Sequence, residues 1–219
     1  MPVAYITGAT SGIGRATAER FIEEGWTVVA MARREERLQE LQDAHPGSVH
    51  CFKLDVRDKA AVEHVFSEAK ERFGAPDVLV NNAGLALGLE PAQACSLDDW
   101  DTMVDTNIKG LLYCTRAALP GMVERKWGKI VIMSSVTGDM VADPGEAAYA
   151  MSKAALVGLT KALAREFAPH VNVNAICPGY VLTPMVRGMA DQSCPENPQS
   201  VIDGIAAAIP LGRLADPRE

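Results

Sequence analysis

Several things are scarce in this sequence, and each scarcity removes a class of protein. Aromatic residues make up 5% of the chain, and no basic patch with interleaved aromatics occurs, so the pattern of a nucleic-acid-binding surface is missing. Positive charge is in deficit: 21 Lys and Arg against 28 Asp and Glu leave a formal charge of -7, which repels polyanions and anionic membranes on average. Neither nucleic acid nor a membrane is therefore expected as a partner. The five cysteines, Cys51, Cys95, Cys114, Cys177 and Cys194, are odd in number and include no CxxC pair. They point to reduced thiols in a cytoplasmic protein rather than to disulfides or thiol-bound zinc. His45, His50, His64 and His170 form no i, i+4 pair and have no acidic partner at ligand spacing. No metal is expected, and the histidines read as surface or packing residues. Long apolar runs are also missing. The opening MPVAYITG lacks the segments of a secretion signal, and the longest uncharged run, residues 171–186, is interrupted by Asn172, Asn174, Pro178 and Pro184. No transmembrane helix is predicted.

What is present is an even spread of apolar residues: 48% of 219 residues are hydrophobic, with 18 Gly and 13 Pro among them. That composition excludes collagen, extended disorder and coiled coil, and the length suffices for one substantial core. Short β-branched runs at 3–6, 27–31, 49–54, 78–81, 130–133 and 171–176 alternate with helical patterns, which predicts six strands. Val62, Val65, Phe66, Ala69 and Phe73 recur at helical spacing behind Asp58, a residue placed to cap that helix. Strand and helix in alternation imply parallel strands joined by right-handed crossovers, with helices on both faces. The expected fold class is α/β, a doubly wound parallel sheet in a single domain over 1–219. No linker or repeat divides it, and only SCPENPQS at 193–200 reads as a flexible surface loop. Ligands of such sheets bind beyond the carboxyl ends of the strands, so the residues directly after each strand carry the most information.

After the first strand comes Thr7-Gly8-Ala9-Thr10-Ser11-Gly12-Ile13-Gly14, then a helical stretch in which Ile13, Ala16 and Phe21 can face the sheet. Glycines at 8, 12 and 14 allow positive φ and close backbone approach, and free N–H groups at a helix start can seat a pyrophosphate. Thr10 and Ser11 add hydroxyl donors. A tight strand-to-helix turn without a ligand is the alternative. The second strand ends at Arg33-Arg34, where NAD-binding sheets usually place an acid for the ribose hydroxyls. An arginine suits the 2′-phosphate of NADP instead. NADP is therefore favoured over NAD, with Arg33 ahead of Arg34; the alternative is that both pair with Glu35 and Glu36.

Tyr149 and Lys153 are four apart in the strongly helical stretch EAAYAMSKAALVGLTKALA, so both leave one helix face. An adjacent ammonium favours phenolate, and the expectation is a phenol with lowered pKa that exchanges a proton with an alcohol or carbonyl oxygen. An exposed helix face is the alternative for such a pair. The fifth strand ends at Ser134-Ser135, and a hydroxyl there, Ser135 in preference, could hold a substrate oxygen beside the phenol.

TGATSGIG at 7–14, LDV at 54–56, NNAG at 81–84, DTNIKG at 105–110, MSS at 133–135, YAMSK at 149–153 and CPGYVLTP at 177–184 together resemble the short-chain dehydrogenase/reductase family over nearly the whole chain. The resemblance implies a Rossmann-like fold and a catalytic tetrad of Asn107, Ser135, Tyr149 and Lys153. In the family the asparagine holds a water that links the lysine to a proton relay. The cofactor would be contacted by Gly8, Thr10, Ser11, Gly12, Ile13 and Gly14, by Arg33 and Arg34, and by Asp55 and Val56 at the adenine. Asn81, Ala83 and Gly84 would line the adenine and ribose side, and Pro178, Gly179, Val181 and Thr183 the nicotinamide end, with Tyr149 and Lys153 also reaching it. NNAGLALGLEPA and DDWDTMVDTNIKGLLY look like NADP-dependent 3-hydroxy acid dehydrogenases of the serine or threonine type. SSVTGDMVADPGEAAYAMSKAALVGLTKALA looks more like a general oxidoreductase branch.

Two departures from the family pattern stand out. Fourteen residues separate Ser135 from Tyr149, one more than the commonest family spacing, and the loop through Gly138 and Pro144 must absorb the extra one. The chain ends at LADPRE, short of the family's last helix and strand, which would leave the sixth strand without an outer neighbour and an interface incomplete. The expected activity is hydride transfer between NADP(H) and a secondary alcohol or ketone, a small 3-hydroxy acid among the candidates. A homo-oligomer is expected if the terminal elements are not essential. The rival is a non-catalytic NADP-binding module or an inactive fragment.

Overall fold

Strand alternation builds the molecule. In β1 (Val3–Thr7), Val3 and Tyr5 point to one face of the sheet and Ala4 and Ile6 to the other, and all are buried. In β2 (Thr27–Ala32), Val29 and Met31 join the first face while Val28, Ala30 and Ala32 join the second. Strands apolar on both faces must be covered twice, which is what helices on either side of a parallel sheet do. The two faces differ in residue size: the second is rich in alanine, including Ala4, Ala9, Ala18 and Ala30, so its helices can sit close to the sheet.

The computed structural model describes residues 1–88 and 90–219. After β2 come α2 (Glu35–Ala44), β3 (Val49–Lys53), α3 (Lys59–Phe73) and β4 (Val78–Asn81); α1 (Gly12–Glu23) precedes β2. Then α4 (Leu97–Met103) runs into a π-helical turn (Val104–Gly110) and α5 (Leu111–Glu124), followed by β5 (Gly128–Met133), α6 (Ala147–Glu166), β6 (Val171–Ile176), α7 (Pro184–Ser193) and α8 (Pro198–Ala208). All six expected strands form, and they pair in parallel in the order β3-β2-β1-β4-β5-β6. The order reverses between β1 and β4, and that switch point sets the site. The chain is thus a single-domain, Rossmann-like α/β fold. Among the described residues β6 pairs only with β5, as expected for the sixth strand. Also among them, no helix is long and apolar enough to cross a membrane.

The α3 stripe is as the spacing predicts: Val62, Val65, Phe66 and Ala69 are buried, Phe73 packs partly against them, and Asp58 caps the helix by accepting from Ala61 N at 3.0 Å. Burying each large apolar side chain contributes roughly 1.5–3 kcal/mol. Two expectations are corrected. In α1 the buried residues are Gly14 and Ala18, with Phe21 packed partly against the core; Ala16 is only half-buried, and Ile13 turns to the cavity described below. The segment 193–200 is a surface loop only at 194–197, a short link between two helices. Ser193 closes α7, Pro198 opens α8, and Asn197 caps α8 by accepting from Ser200 N at 3.4 Å. Asn followed by Pro is a helix-start signal that outweighs the polar composition.

Candidate active site

Every crossover delivers its post-strand residues to one edge of the sheet, where they enclose a cavity of about 540 Å3. Its floor is stitched at the switch point. Thr7 Oγ1 accepts from the N–H groups of Asn82 and Ala83 at 3.1 and 3.0 Å, and the Asn82 amide donates back to the carbonyls of Thr7 and Gly8 at 3.0 and 3.2 Å. This clasp explains two glycines. Gly8 has φ 68°, and a Cβ there would lie 2.8 Å from Asn82 Nδ2; at Gly14 a Cβ would collide with Asn82 and with the Gly8 carbonyl. Gly14 and Asn81 do not line the cavity. Gly14 is buried beneath the turn, and the Asn81 amide is turned inward, donating to Thr115 Oγ1 at 2.8 Å. A strand's alternation sends Asn81 and Asn82 in opposite directions, so Asn82 lies on the cavity in Asn81's place.

Gly8, Thr10, Ser11, Gly12 and Ile13 border the cavity where α1 begins. Ser11 occupies the N-cap position without a side-chain bond to the helix, so the first N–H groups of α1 have no side-chain acceptor from the cap and can meet a phosphate. Arg34 Nη2 donates to Thr10 Oγ1 at 3.2 Å and Ser11 Oγ at 2.9 Å, bracing the turn. Arg33 is exposed on the cavity wall and forms no ion pair among the described residues. Neither arginine pairs with Glu35 or Glu36 there; Glu35 binds Lys53 at 3.1 Å. Asp55 and Val56 follow β3 on the same wall. Arg57 holds the Asp55 carboxyl below its ordinary value through a 2.6 Å ion pair.

The opposite end is framed by β5, α6 and the segment after β6. Ser134 turns inward, donating to the Lys153 carbonyl at 2.8 Å. Ser135 stands close enough to the Tyr149 phenol to favour its charged form, and accepts from Thr137 N at 3.1 Å. Lys153 is 5% exposed; its ammonium donates to the Met133 carbonyl at 2.8 Å and lies 5.6 Å from the Tyr149 ring centroid. Burial pushes that ammonium down to about 8. Tyr149 departs from expectation: its phenol sits above the ordinary value because burial disfavours phenolate more than nearby Ser135 favours it. The lysine is turned to a backbone carbonyl instead of to the phenolic oxygen, so the expected lowering does not arise in this geometry.

Asn107 comes from the π-helical turn and is 1% exposed. Its amide accepts from Leu85 N and donates to Leu85 O, both at 2.9 Å, and donates to Ser152 Oγ at 3.0 Å. It lies behind the cavity wall, where a Cβ on Gly84 would stand 3.3 Å from Asn107 Oδ1 and 3.5 Å from Lys153 Nζ. Ala83 and Gly84 line the cavity, as do Pro178, Gly179, Val181 and Thr183. The fourteen-residue interval before Tyr149 contains a compact turn: Gly138, at φ 92°, donates to Val141 O at 2.7 Å, and Met140 and Val141 donate to Val136 O. Sequence reasoning missed the α7 wall with Met185 and Met189, and the polar pair Glu146 and Tyr180. Apolar residues at helical spacing, Met185, Val186, Met189 and Ala190, were the available sign of the first.

A glycine-lined helix start, an arginine rim and a Ser-Tyr-Lys group at one switch point form an arrangement that suits a dinucleotide-dependent oxidoreductase. Residues 2–193 match the family described as short chain dehydrogenase, and the chain belongs to that family. It is 52% identical over 220 residues to the oxidoreductase UcpA of Escherichia coli O157:H7, covering 99% of this chain and 83% of that protein. It is 45% identical over 172 residues to the NADP-dependent 3-hydroxy acid dehydrogenase YdfG of Escherichia coli K12, covering 78% of this chain and 66% of the relative. The closed form of a serine dehydrogenase complexed with NADP+ superposes with a TM-score of 0.83 at 37% identity, over 97% of this chain and 93% of that one. Both expected resemblances are thus found, and the chain is an NAD(P)-dependent dehydrogenase or reductase.

Proposed function

We propose that the protein is an NADP(H)-dependent oxidoreductase acting on a secondary alcohol or its ketone, with Tyr149 as the proton donor and acceptor. The observation that carries this reading is that Ser135 and Tyr149 line one cavity at the carboxyl edge of β5, with Lys153 buried beside them and donating to the Met133 carbonyl. Bound nicotinamide supplies or accepts the hydride. Ser135 orients the substrate oxygen against the phenol, and a phenol held above its ordinary value keeps its proton until that oxygen needs it. Lys153 supplies positive charge within the ring's reach, and Asn107 positions the 84–85 segment against α6. The exposed guanidinium of Arg33 is free for a 2′-phosphate, while Arg34 is occupied in bracing the turn, which supports NADP over NAD. The similarity to NADP-dependent and NADP-bound relatives points the same way.

Tyr149→Phe removes only the phenolic oxygen. Ketone-dependent NADPH oxidation should fall by roughly 10²–10⁴-fold, while NADPH binding, followed by its fluorescence, stays within a few-fold of the parent. Turnover that survives the substitution would refute the assignment.

A further inference from the structure

The two ends of the cavity carry opposite charge. Its basic lining residues are Arg33, Arg34 and Lys153 among the described residues. The arginines stand at the end of β2, and the Lys153 ammonium is directed to the Met133 carbonyl. Beyond Tyr149 the charged lining residue is Glu146, at the N-cap position of α6. Its carboxylate accepts from Thr137 Oγ1 at 3.5 Å, its backbone N–H donates to the Asp143 carbonyl at 3.2 Å, and it forms no ion pair among the described residues. It bears electrostatically on the phenols of both Tyr149 and Tyr180, and exposed Asp143 adds a second negative charge felt at Glu146 and Tyr180. Leu85, Val136, Met185 and Met189 add apolar wall, and the uncharged Thr137, Tyr180 and Gln192 complete the lining. The start of α6 is the feature that would draw an anion, and Glu146 occupies that position itself.

In a 3-hydroxy acid a single methylene separates the carboxylate from the reacting carbon. With its hydroxyl at Ser135 and Tyr149, that carboxylate would enter the region of Glu146 without a guanidinium or free ammonium to meet it. Resting on the oxidoreductase reading above, we propose that Glu146 is a specificity-determining residue that turns away carboxylate-bearing substrates and selects an uncharged secondary alcohol or ketone. A like charge at this range in a partly buried site weakens binding by about ten-fold or more.

The test uses acetoacetate and methyl acetoacetate, which differ in charge at the carboxyl position. The parent protein with NADPH should favour the ester by about ten-fold in kcat/KM. Glu146→Gln should bring the two within about three-fold by improving the acid, and Glu146→Asp should retain the preference. The same pair is titrated into NADPH-loaded Tyr149→Phe protein, with and without Glu146→Gln, following nicotinamide fluorescence, so that binding is read without turnover. Acid bound as tightly as ester, a preference unmoved by Glu146→Gln, or no binding of either ligand overturns the proposal. Charge-selective binding that Glu146→Gln abolishes, in a parent protein that reduces neither ketone, supports the role of Glu146 and overturns the oxidoreductase reading alone.

Discussion

The region that ends with β4 and the region that begins with β5 solve different problems. In the first, the cavity is shaped by backbone: glycines at positive φ, N–H groups at the start of α1, and a clasp from Asn82 to the carbonyls of Thr7 and Gly8. In the second it is lined by polar side chains, Ser135, Tyr149, Lys153 and Glu146, set on a strand end and one helix. Backbone recognition needs few residues in fixed order and suits a ligand that never changes. Side-chain recognition admits many solutions, so the region that meets the substrate is the less constrained by motif.

The largest effect that sharpens this contrast is on cofactor choice. Arg33 is the cavity's exposed, unpaired guanidinium among the described residues, next to a turn otherwise read through backbone. Replacing it by Asp exchanges a charge-assisted contact for repulsion of a 2′-phosphate. Each such contact is worth about 1.5–3 kcal/mol, so the NADPH-to-NADH ratio of kcat/KM should fall by roughly a hundred-fold. Parallel initial-rate measurements check it, and an unchanged ratio would remove Arg33 from the phosphate site. Arg34→Ala should instead loosen the turn and weaken both cofactors together, because its bonds are to Thr10 and Ser11.

A smaller effect separates the regions by the sign of their pH response. Lys153, in the second region, is pushed from 10.5 down to about 8 by burial. Between those values the unfolded chain binds a proton that the folded one has released, so this residue makes stability rise with pH across that window. Cys51, on β3 in the first region, is pushed from 9.0 up to about 11. The folded state then keeps a proton that the unfolded chain loses, and stability falls as pH rises from 9 to 11. Relative to the parent, Lys153→Met should lose about 1–2 kcal/mol more at pH 9.5 than at pH 8, and Cys51→Ala should lose less at pH 10 than at pH 8. Urea unfolding across pH checks both, and matching slopes for the two variants would contradict the opposite burial effects.

Legibility in the sequence followed the same division. The strands were readable as short β-branched runs, as expected of a sheet covered on both faces, and the α3 stripe by its period of 3.6. The glycine turn was readable too, although its pattern did not show that Gly14 is required by packing against Asn82 while Gly8 and Gly12 border the cavity. Adjacent Asn81 and Asn82 were indistinguishable until strand direction assigned one to Thr115 and the other to the clasp. Asn107 lacked any local mark, since its partners Leu85 and Ser152 are far away in sequence. The pKa of Tyr149 was misread because spacing along a helix sets proximity to Lys153 but not the direction in which the ammonium points. Glu146 was passed over because it read as the first residue of the helical stretch, whereas it stands at the N-cap position of α6 without a capping bond and lines the cavity.

The smallest effect tests whether the regions are also unequally tied to the core. Asp58 and Asn197 occupy the same position at the start of α3 and α8, accepting from a backbone N–H at 3.0 and 3.4 Å. Helix α3 buries Val62, Val65, Phe66 and Ala69, whereas α8 buries no residue. A cap bond contributes to global stability only as far as its helix unfolds with the core. Asp58→Ala should therefore cost about 1 kcal/mol in urea unfolding. Asn197→Ala should leave the global transition within about 0.3 kcal/mol and instead speed amide exchange along 198–208. Equal losses in the global transition would mean that α8 is held by contacts comparable to those of α3, and that the region beyond β6 is as firmly joined to the core as the cofactor side.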